Sequence, residues 1–326
     1  MKISPSKSTV LITGGSGFAG RNLADLLASK GHSVHLLDKV GTLPGNLKHK
    51  YGKSITVHRV DITAPRGLPR LLDTINPEEI YHLAGIANVK HSWEGEAITY
   101  RVNVIGAVQL LSAIKHTNLA SNILIVGSGE VYGYVDEKDQ PILETHPTHP
   151  GSPYAASKLC QEIAVKQMSA HIKGKVVFVR PFNHIGPGQH PSFVAPDFAR
   201  QVARIERGQQ EPVIRVGNLS AYRDFSDVRD TVSGYVMALR HGKNLGIYNV
   251  SSQQTIAIQN ILDSLLSLSE HKITVKVDPN KFRPADVPKL CGSSELLRKI
   301  SGWTVKKDIN QTLIDILEYW RSHPGE

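Results

Sequence analysis

Thr9-Val10-Leu11-Ile12-Thr13-Gly14-Gly15-Ser16-Gly17-Phe18-Ala19-Gly20 is the stretch that decides the fold. A short β-rich run enters a glycine-rich turn, and helical spacing at Leu23, Leu26 and Leu27 follows. Gly14, Gly17 and Gly20 make a GxxGxxG frame. Glycine at these positions permits a tight turn, a close backbone approach and close helix–strand packing. The helix start then aims unpaired N–H groups at an anion such as a pyrophosphate. A glycine triad alone is weak evidence. The strand before it and the helix after it are the context that a dinucleotide site demands.

The same alternation continues. Ser33–Asp38 and residues 55–60, 79–84, 122–127 and 176–180 are further short β-rich runs. Helical spacing lies between them, as at Val102, Ile105, Val108, Leu111 and Ile114. Strand–helix alternation with buried strands predicts an α/β fold, a Rossmann-type doubly wound parallel sheet. The pattern loosens after Pro181. A helix over 196–207, a strand at Val213–Val216, a helix from Asp227 and a strand at Ile247–Val250 are predicted. From Thr255 the chain reads as mainly helical, with a loop at Phe282-Arg283-Pro284-Ala285-Asp286-Val287-Pro288. The expected division is a dinucleotide-binding domain of residues 1–181 and 224–253, with a smaller, mainly helical lobe of residues 182–223 and 254–326.

Composition narrows the function. Apolar residues make up 40% of the 326, enough for a sizeable core. Residues 1–8 are polar, and no apolar run approaches the roughly 20 residues that span a bilayer. A soluble cytoplasmic protein without a membrane partner is expected. The net charge of +9 is dispersed, with no long basic run. It reads as a surface that favours small anions, not nucleic acid. Cys160 and Cys291 stand far apart, and the fifteen histidines form no ligand pattern, so no metal is expected.

Asp38 ends the second run about twenty residues past the glycines, where a carboxylate bonds the adenosine ribose hydroxyls. It repels a 2′-phosphate, so NAD(H) is favoured over NADP(H), and neighbouring Lys39 softens that preference. Asp61-Ile62 reads as an adenine contact, or Asp61 equally as a loop cap. His82-Leu83-Ala84-Gly85 ends the fourth run. Leu83, Ala84 and Gly85 let the chain pass close to a cofactor, although a plain strand end reads almost as well. Phe18, Ala19 and Pro181 complete the expected cofactor contacts.

Tyr154-Ala155-Ala156-Ser157-Lys158 follows the Pro150-Gly151-Ser152-Pro153 turn. Tyr154 and Lys158, four apart, share a helix face. An ammonium beside a phenol lowers its pKa, which suits proton transfer to or from a carbonyl oxygen. Lys158 is also placed to hold a ribose. Ser128 ends the fifth run, where its hydroxyl meets the same oxygen. Glu130 points to the same side if the chain stays extended.

Together, Gly14, Gly17, Gly20, Ser128, Tyr154 and Lys158 resemble the extended short-chain dehydrogenase/reductases, over nearly the whole chain. The resemblance sharpens at residues 180–189, 193–199, 216–225 and 283–288, which look like the members that reduce GDP-4-keto-6-deoxy-D-mannose to GDP-D-rhamnose. It implies Asn183 and Val194 at a GDP-linked deoxyhexose, Arg223 and Arg283 on its diphosphate, and a homodimer built through helices at 94–116 and 152–171. Read alone, Arg223 is equally an ion-pair partner of Asp224 and Asp227, and both helix stripes serve equally as core. The rival within the family is a GDP-mannose 4,6-dehydratase, with Glu130 as acid/base. Those dehydratases follow Asn-His with Glu-Ser, whereas this chain has Ile185-Gly186-Pro187-Gly188-Gln189. A sugar-nucleotide 4-epimerase is a weaker rival. A non-catalytic dinucleotide-binding regulator is weaker still, because Tyr154 and Lys158 are both intact.

Overall fold

A computed structural model describes residues 7–42, 45–282 and 287–325. The strand β1 (Thr9–Thr13) turns into α1 (Phe18–Ser29), followed by β2 (Ser33–Asp38), α2 (Gly45–Tyr51), β3 (Ile55–Arg59), α3 (Leu68–Ile75) and β4 (Glu79–His82). Short helices α4 (Val89–Glu94) and α5 (Glu96–Tyr100) run through a π turn at Arg101–Ile105 into α6 (Gly106–Thr117). Then come β5 (Asn122–Val126), α7 (Pro153–Met168) and β6 (Val176–Pro181). Beyond them lie β7 (Asn183–Ile185), α8 (Val194–Glu206), β8 (Val213–Val216), β9 (Tyr222–Asp227), α9 (Val228–His241) and β10 (Ile247–Val250). The chain closes with β11 (Thr255–Ala257), α10 (Ile258–Ser267), β12 (Thr274–Val277), β13 (Lys289–Leu290), α11 (Glu295–Ser301) and α12 (Ile309–Ser322).

Seven strands form one parallel sheet in the order β10-β6-β5-β4-β1-β2-β3. Val10, Leu11 and Ile12 of β1 are fully buried, because helices cover both faces of a parallel sheet. One core joins α1 and α9 to the sheet, and a second joins α3 and α6 to its other face. The order in which strands are added reverses between β1 and β4. That switch point opens a crevice beyond the strand ends, where such sheets bind ligands.

The smaller lobe has its own core, in which Phe198 and Val202 of α8 meet Ile261 and Leu265 of α10 and Leu313 and Leu317 of α12. It is less purely helical than expected. Beyond the helices it carries β11, β13 and β7 around β9, and a two-stranded sheet of β12 with β8. Leu297 and Trp303, within the stretch expected to lie with the lobe, pack instead into the α1–α9 core. The Trp303 indole donates to Ser233 Oγ at 2.9 Å and fixes that end of the chain against α9.

Two other differences have physical causes. β4 stops at His82, not at Ala84, because Ala84 N–H donates to the Thr13 hydroxyl (3.2 Å) and leaves the ladder. The segment Glu96–Thr117 is also more apolar than expected. It is long and apolar enough to cross a membrane by length and composition, with 22 residues and a mean hydropathy of 1.4. It packs against α3 and α7 here, so much of that apolar surface serves the core.

Candidate active site

The glycine turn is built by close approach. Gly14 has a φ of 69° and donates its N–H to Leu37 O (2.8 Å). A Cβ there would lie 2.8 Å from the Ala84 backbone, so β1 and β4 meet at this residue. A Cβ on Gly20 would fall 2.8 Å from Gly15 Cα and would collide with Gly14 O. Gly15, which lay outside the expected triad, is also tightly placed, since a Cβ on it would lie 2.7 Å from Leu36 Cβ. No side chain caps the start of α1, so its first N–H groups face the crevice. Gly20→Ala should therefore push α1 off the turn and cut dinucleotide affinity by more than tenfold, read by fluorescence titration; unchanged affinity would contradict this packing.

The crevice is a cavity of about 720 Å³. Gly14, Gly17, Phe18, Ala19 and Gly20 form one wall, and Asp38, Asp61 and Ile62 line one end. Leu83, Ala84, Gly85 and Pro181 line it further on, followed by Ser128, Glu130, Tyr154 and Asn183. Asp38 accepts N–H groups from Ser16 (3.2 Å) and Val40 (3.0 Å), so it also braces the glycine turn. Of the two roles expected of Asp61, the turn cap is the one seen. Asp61 lines the cavity, and it caps a turn by accepting from Thr63 N and Oγ1, which hold its carboxyl below the usual range.

Tyr154 and Lys158 sit in the first turns of α7 and are buried, at 8% and 4% exposure. Ser152 caps the helix by accepting from Ala155 N (3.1 Å), and Ser92 Oγ accepts the Tyr154 N–H (3.1 Å). Lys158 Nζ donates to Val126 O (2.8 Å) and to Gln161 Oε1 (3.3 Å). It lies under the cavity floor, 3.3 Å from where a Cβ on Gly85 would stand. The expectation that Lys158 depresses the phenol is not met. Burial pushes Tyr154 up to about 12, with the Ser128 side chain acting against it and the Glu130 charge adding to it. Burial also pushes Lys158 down to about 8, opposed by Glu162. Tyr154 is thus a protonated phenol at neutral pH, the state that donates a proton.

Glu130 arrives at the cavity by another route than the one expected. The chain does not stay extended after Ser128. It enters a 3₁₀ turn, Gly129–Tyr132, in which Ser128 Oγ accepts the Glu130 N–H at 3.2 Å. Glu130 still lines the cavity beside Tyr154.

Three supports had no signal in the sequence. The π turn rotates Asn103 inward, where it accepts from Ile86 N (2.8 Å) and donates to Ser157 Oγ (2.8 Å), tying the cavity wall to α7. Arg180 of β6 bonds both oxygens of Glu162 on α7, at 2.9 and 2.8 Å, with both side chains buried. His184 stacks on Phe18, 6.1 Å between ring centroids, and both line the cavity.

The substrate-side expectations divide. Asn183 lines the cavity. Val194 does not; it packs against the lobe core, and Phe193 takes the wall position beside it. Arg223 does not line the cavity either. It is 6% exposed and donates to Tyr222 O, because β9 is sandwiched between β11 and β13. Its neighbour Asp224 is no ion-pair partner in the arrangement seen. Asp224 accepts from Ser252 N and Oγ, Gln253 N and Gly292 N, and burial holds its carboxyl up at about 6. Arg283 lies outside the described residues. No cluster that would hold a metal occurs among the described residues.

Residues 11–316 match the family model of GDP-mannose 4,6 dehydratase. A GDP-6-deoxy-D-mannose reductase from Pseudomonas aeruginosa is 35% identical over 97% of this chain and 98% of its own length. A GDP-mannose 4,6 dehydratase from Caenorhabditis elegans is 31% identical over 94% and 87%. Among solved structures, RMD from Pseudomonas aeruginosa complexed with NADPH superposes with a TM-score of 0.83, covering 97% of this chain and all of that one at 34% identity. The UDP-glucose 4-epimerase of Thermus thermophilus in complex with NAD gives 0.84 at 27% identity, covering 96% and 98%.

Proposed function

The chain belongs to the GDP-mannose 4,6-dehydratase family, and from that premise we propose that it reduces the C4 ketone of GDP-4-keto-6-deoxy-D-mannose to GDP-D-rhamnose with a nicotinamide dinucleotide. The observation that carries this reading is the end-to-end match to the Pseudomonas aeruginosa reductase. Ser128, Tyr154 and Asn183, all lining the cavity, support it.

The residues that fit a dinucleotide are the Gly14–Gly20 turn, the uncapped start of α1 and the Asp38 and Asp61 end of the cavity. When bound there, the dinucleotide supplies the hydride for C4. Everything else falls to the chain. Tyr154 donates the proton to the C4 oxygen and is recharged from solvent. Ser128 donates a hydrogen bond to the same oxygen, where negative charge builds in the transition state. Lys158, under Gly85, orients the nicotinamide ribose and keeps a positive charge near the phenol. Asn183 positions the sugar diphosphate. Arg283 holds the diphosphate with it.

A pH profile follows. The Lys158 ammonium is present below about 8 and is lost above it. kcat/KM for reduction should be flat near neutrality and fall as pH rises through about 8, while Tyr154, up at about 12, stays protonated throughout. A rate rising through pH 8 would contradict the role given to Lys158.

NAD(H) is the preferred cofactor, through Asp38, and Lys39 on the same wall lets NADPH serve too. Asp38→Ser should move the ratio of kcat/KM toward NADPH by about tenfold, because it removes a charge that repels a 2′-phosphate. An unchanged ratio would remove Asp38 from cofactor choice. The chain acts as a cytoplasmic homodimer that pairs through the α6 and α7 face, where Ile105 and Ile163 are exposed at 44% and 60%. Sedimentation showing a monomer at micromolar concentration would end the dimer reading.

Glu130 sustains a second reading, dehydration of GDP-mannose, because it lines the cavity beside Tyr154. The two are told apart by adding NADPH with either sugar. Cofactor oxidation with the 4-keto sugar supports reduction. Conversion of GDP-mannose without net oxidation, lost in Glu130→Gln, moves the assignment to the dehydratase.

A further inference from the structure

Most arginines of this protein that form ion pairs do so with buried or half-buried acids, as Arg180 does with Glu162, Arg229 with Asp227 and Arg240 with Glu79. The outer face of α8 differs. A cavity of about 350 Å³ between α8 and β8 is lined by Arg200, Arg204, Arg215 and Lys281. Two carboxylates, Asp197 and Glu211, also line it. Asp197 is taken by Lys281, at 2.6 Å, and its charge also acts on Arg200. Among the described residues, the guanidinium groups of Arg200, Arg204 and Arg215 form no ion pair with a carboxylate.

The floor under these side chains is fixed. Gln201 accepts from Arg215 N (2.9 Å) and donates to Arg215 O (3.2 Å), which also receives Lys281 Nζ (2.9 Å). Arg200 is braced with its guanidinium carbon 5.7 Å from the centre of the buried Trp320 ring. Arg200 and Arg204 are one turn apart on the same helix face, and Arg215 stands across from them on β8.

We propose that this groove binds a diphosphate-bearing anion. Guanidinium groups bond phosphate oxygens in pairs, and three from two facing elements offer more donors than one phosphate can use. The groove meets the anion with charge and hydrogen-bond donors, so it reads the diphosphate and not a base. Free pyrophosphate and the diphosphate of a nucleotide share that chemistry. The site does not rest on the reduction reading. α8 connects the two, since Phe193 at its start lines the main cavity.

The test is calorimetric titration of the full chain, presaturated with NADPH, with inorganic pyrophosphate in one arm and GDP in the other. Saturable binding is expected, weakening with salt and falling about tenfold or more in Arg204→Gln/Arg215→Gln, which removes two charge-assisted partners. The variant should keep its melting temperature and its turnover without added anion. Loss of pyrophosphate binding in the variant identifies a free-anion site; loss of a GDP event alone identifies a nucleotide site. Pyrophosphate binding, or a second GDP event beyond the one in the main cavity, that the variant leaves unchanged overturns the proposal, as does the absence of both at millimolar concentration.

Discussion

Tyr154→Phe lowers kcat by roughly two to four orders of magnitude, with the dinucleotide dissociation constant unchanged within about twofold. The substitution removes one hydroxyl and keeps the ring that fills the buried space at the start of α7. The backbone N–H that holds the residue, bonded to Ser92 Oγ at 3.1 Å, is untouched. The hydroxyl that disappears is the protonated phenol that burial keeps at about 12. Stopped-flow turnover and fluorescence titration separate the two quantities. A variant with full kcat would remove Tyr154 from the chemistry, and a variant that fails to bind the dinucleotide would give it a structural role instead.

Glu162→Ala is expected to lower the unfolding free energy by about 3–5 kcal/mol, because it strands the Arg180 guanidinium in the core. Glu162 is 1% and Arg180 4% exposed, and two hydrogen bonds of 2.9 and 2.8 Å join them. Arg180 also lies 4.9 Å from the Tyr132 ring centre. A Cβ on Gly127, next to Ser128, would stand 2.9 Å from Glu162 Oε1, so the carboxylate abuts the strand end that leads into the site. The pair fastens the helix that carries Tyr154 and Lys158 to β6. Removing both charges at once, as Glu162→Leu/Arg180→Met, should recover much of the loss, since neither ion is then left alone. Urea denaturation measures both. A single variant within about 1 kcal/mol of the parent would show that water reaches the pair.

The sequence was most legible where strands are buried on both faces. Such strands are short apolar runs with defined ends, so β1 and β2 read to the residue, and the glycines between β1 and α1 located the crevice. β8 and β10 are also short apolar runs and were equally readable. β7, β11 and β13 were not, since two or three residues carry no period, and their pairing around β9 is a tertiary fact. The same pairing explains Arg223, whose position in a sandwiched strand takes it off the cavity wall. Ser128 was readable as a strand end, but its cap on a 3₁₀ turn, which carries Glu130 to the cavity, was not. The Arg180–Glu162 pair and the inward turn of Asn103 depend on packing between β6, α6 and α7. No spacing in the chain announces them.

The central claim is a hydride delivered to C4 of a GDP-linked 4-keto sugar. Its most direct test is one turnover with reduced dinucleotide carrying deuterium at the transferring carbon, with the sugar product examined by NMR. One deuterium at C4 of a GDP-6-deoxyhexose is the expected result. A product with no deuterium, or the label retained on the dinucleotide while GDP-mannose is consumed, would contradict it.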